Sequence, residues 1–213
     1  MRLRVIAAVV EVFFARPVTT VAEAAAWRFI GNGGRIFADG YCDQPYVVTA
    51  SDGTWVAVFT TSPAREGAAV QYIACTRSTD HGRTWSEPVA IEPPSGVEAS
   101  WGIPLITDFD RIYVFYTYNG DSVKALHGKP IRSDTHGWYC YRYSDDLGRT
   151  WSRRHRLDMR LTACDRGNEW GGRVQMFWGI GKPVSRGQDV WFSFTKLGGY
   201  FLNRGLTLKL LVE

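Results

Sequence analysis

Short apolar runs, each closed by Gly, Pro, Asp or Asn, recur along most of the chain. DGTWVAVFTT (52–61), VQYIACTR (70–77), FDRIYVFYTY (109–118), GWYCYRYS (137–144) and DVWFSFTK (189–196) are the clearest. They are rich in β-branched and aromatic residues and too short for a helical stripe, so they predict strands joined by turns. Within this pattern one octet occurs twice. Residues 78–85 read STDHGRTW and residues 144–151 read SDDLGRTW, the second beginning 66 residues after the first. Asp at the third position can accept from backbone N–H groups two residues on. Gly at the fifth can take a positive φ, and Trp at the eighth returns a large apolar surface to the strands. Ser78, Asp80, Gly82 and Trp85, like Ser144, Asp146, Gly148 and Trp151, therefore read as structural residues of a pinned turn. Each octet follows two strands and precedes a short segment, PVAI (88–91) or RHRL (154–157).

A four-strand unit with the pinned turn between its third and fourth strands is the pattern of a β-propeller blade. The expected fold class is all-β, with blades at about 44–91, 101–161 and 172–213. The third unit, from RVQMFWG to GLTLKLLVE, has no octet. A ring needs at least four blades. The residues after position 26 hold about three, so the sequence reads as an incomplete propeller whose open sheet edge would invite self-association.

Composition narrows the partners. The 213 residues are 45% hydrophobic and 14% aromatic, enough for a β-rich core. A net charge of +4 argues against nucleic acid, and the basic run Arg149, Arg153, Arg154, Arg156, Arg160 reads as a solvated edge strand. Cys42, Cys75, Cys140 and Cys164 match no metal-binding spacing, and His81, His127, His136 and His155 form no paired-ligand motif. Neither a metal nor an organic cofactor is expected, and disulfides stay open. Residues 1–26 read as a signal peptide, with Arg2 and Arg4, an apolar run and small-residue cleavage sites. Glu11 fits an amphipathic helix as the alternative. The expected location is secreted, periplasmic or cell-surface. Nothing later approaches the ~18 apolar residues of a membrane span.

A propeller gathers the starts of its first strands around one axis. Here those starts are Asp43-Gln44-Pro45, Glu98 to Pro104, and Arg173 through Trp178 to Lys182-Pro183. Glycoside hydrolysis needs paired carboxylates, one to protonate the leaving oxygen and one to attack or activate water. Asp43 with Glu98 is the expected pair, with Glu66 and Glu169 as further acid/base candidates; a solvated loop carboxylate is the bland reading of each. Gln44, Trp101, Tyr118, Arg173, Trp178 and Lys182 are candidate substrate-binding residues, the indoles serving either as core or as sugar platforms. The loop at 121–137 is long for a hairpin and reads either as a cover for the channel mouth or as disordered.

The octet S-x-D-x-G-x-T-W resembles the Asp-box, or BNR repeat, of sialidases (neuraminidases), and the resemblance covers about residues 41–196. It implies a six-bladed propeller with the Asp-boxes on the outer rim. It also implies a substrate carboxylate held by three arginines, a Tyr/Glu nucleophile pair and an Asp acid/base. The family's first arginine stands in a Phe/Tyr-Arg-Ile-Pro motif. The matching stretch here is Tyr41-Cys42-Asp43-Gln44-Pro45, where the Arg is absent and Asp43 stands roughly in its place. The expected function is hydrolysis of terminal glycosidic bonds in complex glycans by a sialidase-like exo-glycosidase. The alternatives are a non-catalytic propeller binding glycan or protein, another carbohydrate-active propeller such as a polysaccharide lyase, and a remnant without a function of its own.

Overall fold

A computed structural model describes residues 30–37, 40–68, 70–94, 96–179, 181–199 and 202–211. The chain divides into two units, Met1–Gly34 and Arg35–Glu213. Of the first, only a single 3-10 turn, Ile30–Asn32, is described. The expected signal segment lies outside the described residues.

The second unit is built of antiparallel strands. β1 (Tyr41–Thr49), β2 (Trp55–Ser62), β3 (Tyr72–Ser78) and β4 (Val89–Ala90) form the first sheet in sequence order. β5 (Ala99–Ile106), β6 (Ile112–Tyr118), β9 (Trp138–Ser144) and β10 (His155–Arg156) form the second. A small hairpin, β7 (Ala125–Leu126) with β8 (Lys129–Pro130), interrupts the long link from β6 to β9. After a helical turn, α1 (Ala163–Arg166), come β11 (Met176–Trp178), β12 (Val184–Arg186), β13 (Asp189–Gly199) and β14 (Leu202–Leu211). β14 pairs along the whole of β13, so β11 and β12 share its other edge as one interrupted strand.

The second sheet lies between the other two. In β6, Ile112, Val114, Tyr116 and Tyr118 join Val56, Val58, Ile73 and Cys75 of the first sheet in one core. The alternate residues Tyr113 and Phe115 join Phe177, Val190, Phe192 and Phe194 of the third sheet in another. All seven residues of β6 are buried. Strand geometry sends successive side chains to opposite faces, so a strand covered on both faces must be apolar throughout. IYVFYTY meets that demand.

The first strands of the three sheets converge. The indole of Trp101 in β5 lies 6.3 Å, centroid to centroid, from that of Trp178 in β11. Lys182, between β11 and β12, donates from Nζ to the Val47 carbonyl of β1 at 2.9 Å. Stacked antiparallel sheets with converging first strands are propeller blades.

Both octets form the expected turn. In the first, Gly82 N–H donates to Ser78 Oγ at 2.8 Å, and Thr84 donates to Asp80 through N (2.9 Å) and Oγ1 (2.6 Å). In the second, Gly148 N–H donates to Ser144 Oγ at 2.8 Å, and Thr150 donates to Asp146 through N (2.8 Å) and Oγ1 (2.6 Å). Gly82 and Gly148 sit at φ of 83° and 82°, where a side chain would be strained.

One expectation needs correction, and one open question is answered. The basic run is not simply a solvated edge. Arg154 pairs with the buried Glu92 at 2.8 Å and lies 3.5 Å from the Tyr118 ring centroid, and Arg156 lies over Trp138 at 4.6 Å. No disulfide forms either: all four cysteines are free thiols. Burial pushes the Cys75 thiol up to about 11 and the Cys140 thiol up to about 12.

Candidate functional site

The first strands of blades one and two bulge at matching places. The β1–β2 register slips between Asp43 and Tyr46, and the β5–β6 register slips between Ser100 and Ile103. Within the bulges Gln44 and Trp101 take φ of 48° and 63°, unusual for residues with a side chain. The bulge in β5 aims the Trp101 indole at the loop that follows β6.

The loops that follow β2 and β6 meet through one arginine. Arg132, from the β6–β9 loop, pairs with Asp134 at 2.7 Å and with Glu66 from the β2–β3 loop. Both Nε and Nη2 are used on the Asp134 carboxylate. Asp134 is buried, and its backbone carbonyl accepts from the Trp101 indole at 3.0 Å. The next residue but one, His136, is buried with Nδ1 2.9 Å from the Arg132 carbonyl, so that nitrogen carries the proton. Burial lowers its pKa, and Asp134 and Glu98 pull the other way.

Glu98 closes the group from the start of β5. It is 2% exposed. One carboxylate oxygen accepts from Ser133 Oγ at 3.1 Å and lies 3.8 Å from Lys124 Nζ; the other has no hydrogen-bond partner. Gln44 Oε1 is likewise buried without a partner. Asp43 is partly buried on β1. The Tyr41 phenol, on the same face, has its pKa raised, first by burial and then by Asp43, Glu66 and Asp134. Tyr46 is raised by burial and by Asp43.

Of the expected residues, Glu66, Glu98 and Trp101 are thus joined through Arg132, Ser133 and Asp134, Asp43 acts on the neighbouring Tyr41, and Trp178 lies against Trp101, while Gln44 is buried in the adjacent bulge without a partner for Oε1. Lys182 reaches β1 instead, through the Val47 carbonyl. Arg173 is exposed and contacts the His127 ring at the tip of the β7–β8 hairpin. Glu169 is exposed in the turn after α1 and joins none of these contacts. Tyr118 does not join them either. Its ring faces the core between the first two sheets, because an even position of β6 points that way, and Arg154 covers it. A separate cavity of about 280 Å³ lies by β9, lined by Trp138, Arg156, Asp158, Arg160 and Gln175, and contains none of the expected site residues.

Sequence reasoning missed Tyr41, Lys124, Arg132, Ser133, Asp134 and His136. The signal available was the run Arg132-Ser133-Asp134-Thr135-His136, five polar residues in the long loop, of which Asp134, Thr135 and His136 are buried.

No family model matches this sequence, and no curated protein matches it. Solved structures do. A Hadza microbial sialidase superposes over 79% of this chain and 35% of its own, with a TM-score of 0.56 at 15% identity. The NanB sialidase of Streptococcus pneumoniae covers 85% of this chain and 46% of its own, with a TM-score of 0.55 at 10% identity. An α-L-arabinanase of Penicillium chrysogenum, complexed with arabinobiose, covers 80% and 46%, with a TM-score of 0.50 at 14% identity. The fold is a β-propeller of the sialidase type. About three of its blades lie in this chain, which spans less than half the length of each of these three structures.

Proposed function

We propose that this chain carries part of the active site of a sialidase-like glycoside hydrolase cleaving terminal glycosidic bonds. One observation carries the reading: Asp43, Glu66, Glu98 and Asp134 gather at the bulged ends of adjacent first strands, beside the paired indoles of Trp101 and Trp178. Carboxylates from separate strands supply the acid and the nucleophile or base of glycoside hydrolysis, and the half-buried Trp178 indole, backed by the buried Trp101, offers an apolar face to a sugar. The likeness in fold to sialidases and an arabinanase supports a carbohydrate substrate. The joining of two loops through Glu66–Arg132 supports an enclosed site suited to a chain end. In this reading Asp43 and Glu98 act on the bond, and Arg132 holds Glu66 and Asp134 in place.

Hydrolysis of a panel of chromogenic glycosides tests the proposal. Asp43→Asn and Glu98→Gln are each expected to lower kcat by about 10²–10⁴-fold while leaving the melting temperature near that of the parent. A second reading, glycan binding without turnover, is favoured by the deep burial of Glu98. Glycan binding by the parent, with no hydrolysis and no dependence on Glu98→Gln, would select it.

A further inference from the structure

We infer that this site takes an uncharged sugar, one carrying hydroxyl groups but no carboxylate, sulfate or phosphate; the inference rests on the carbohydrate reading above. The first argument is the state of the cations. Arg132 is bracketed between Asp134 and Glu66. Lys124 stands 3.8 Å from Glu98, Lys182 donates to the Val47 carbonyl, and Arg173 is turned onto His127. Recognition of an acidic sugar calls for a guanidinium fork presented to the ligand. In the network itself the fork is already spent on the protein's own carboxylates.

The balance of charge points the same way. Asp43, Glu66, Glu98 and Asp134 bring four carboxylates against Arg132 and Lys124, and His136, with its pKa lowered by burial, adds no charge at neutral pH. An anionic sugar entering between Asp43 and Glu98 would meet a surplus of like charge. A hydroxyl would meet acceptors. Among the buried atoms of the network without hydrogen-bond partners, Gln44 Oε1, Glu98 Oε2 and His136 Nε2 accept, and the Tyr41 hydroxyl can accept or donate, as a sugar hydroxyl can in return. A surplus of carboxylates over free cations selects a polyol ring, not an anion.

Matched sugars decide the point. The purified 213-residue chain is titrated with neutral arabino-, xylo-, manno- and galacto-trisaccharides and lactose. The acidic set is trigalacturonate and 3′-sialyllactose. At least one neutral sugar is expected to bind, and at low salt the tightest neutral binder is expected to bind about tenfold or more tightly than either acidic sugar. The ratio should narrow at 0.5 M NaCl, where screening weakens repulsion. The double variant Asp43→Asn, Glu66→Gln, with an unchanged circular dichroism spectrum, should narrow it at low salt too. Tighter binding of the acidic set, or a ratio insensitive to both salt and the variant, overturns the inference and leaves the carbohydrate reading standing. Binding of neither set overturns both.

Discussion

Asp80 and Asp146 are surface carboxylates whose oxygens are almost wholly committed. Asp80 accepts from Ser78 Oγ and from the N–H and hydroxyl of Thr84, and Asp146 repeats the set with Ser144 and Thr150. The Thr84 bonds, foremost, hold Asp80 well below the usual carboxylate range. At Asp146 partial burial works upward, but the bonds from Thr150, Ser144 and the Arg149 amide outweigh it and leave the carboxyl at about 2. A folded-state pKa below the unfolded value gives a contribution that is complete above about pH 4 and is lost as pH falls toward 2. Asp80→Ala and Asp146→Ala are each expected to lower the melting temperature at pH 7 by about 2–4 °C and to shift it less at pH 2.5. Sugar affinity should hold while the fold survives. Lost sugar binding at an unchanged melting temperature would contradict a structural role. These turns were legible in the sequence because every hydrogen-bond partner of the Asp80 and Asp146 carboxylates lies within six residues of Ser78 or Ser144, so residue type and spacing carry the turn geometry.

The loop between β6 and β9 draws on distant partners, which is why its role could not be read locally. Arg132 finds Glu66, 66 residues away, and Trp101 finds the Asp134 carbonyl across 33 residues. Neither pairing has a sequence signature. His136 gives the loop a pH response. Burial depresses its pKa, so the unfolded chain takes up a proton near pH 6.5 before the folded chain does, and stability drops as pH falls below that value. His155, also lowered by burial and by nearby arginines, contributes in the same direction. The melting temperature of the parent should therefore decline between pH 7 and 5, and His136→Gln should flatten part of that decline. An identical slope in the variant would show that the ring is not held neutral by burial. The β4–β5 link offers a sterner case. Glu92, buried, accepts from Tyr116, Arg142 and Arg154. Burial pushes its pKa up, but the bonds from Arg154 and Tyr116 and the charges of both arginines bring it below normal. Glu92→Gln leaves two arginines facing no charge and is expected to cost about 3 kcal/mol. Urea unfolding would report this as a lower midpoint with an unchanged slope.

At the scale of the molecule, the blade pattern was readable because strands covered on both faces must be apolar on both, and β6 declares this in seven consecutive residues. What could not be read was which face meets which blade. Tyr118 looked like a ring at a loop edge, yet its even position in β6 commits it to the core shared with the first sheet. The third blade hid its first strand because β11 and β12 are parted by Gly179 and Pro183, and only pairing with β13 makes them one. The same arrangement predicts how Arg35–Glu213 unfolds. The second sheet supplies one face to each core, so neither neighbouring sheet can release its apolar surface without exposing part of β6. Far-UV circular dichroism and tryptophan fluorescence should therefore report one coincident transition. Val114→Ala opens the core toward the first sheet, and Phe115→Ala opens the core toward the third. Both should move that single transition, the Phe change by about 3–5 kcal/mol and the Val change by less. If Phe115→Ala instead split the curve, with an early step confined to the third sheet, the second sheet would not be coupling its neighbours, and the blades would be independent folding units.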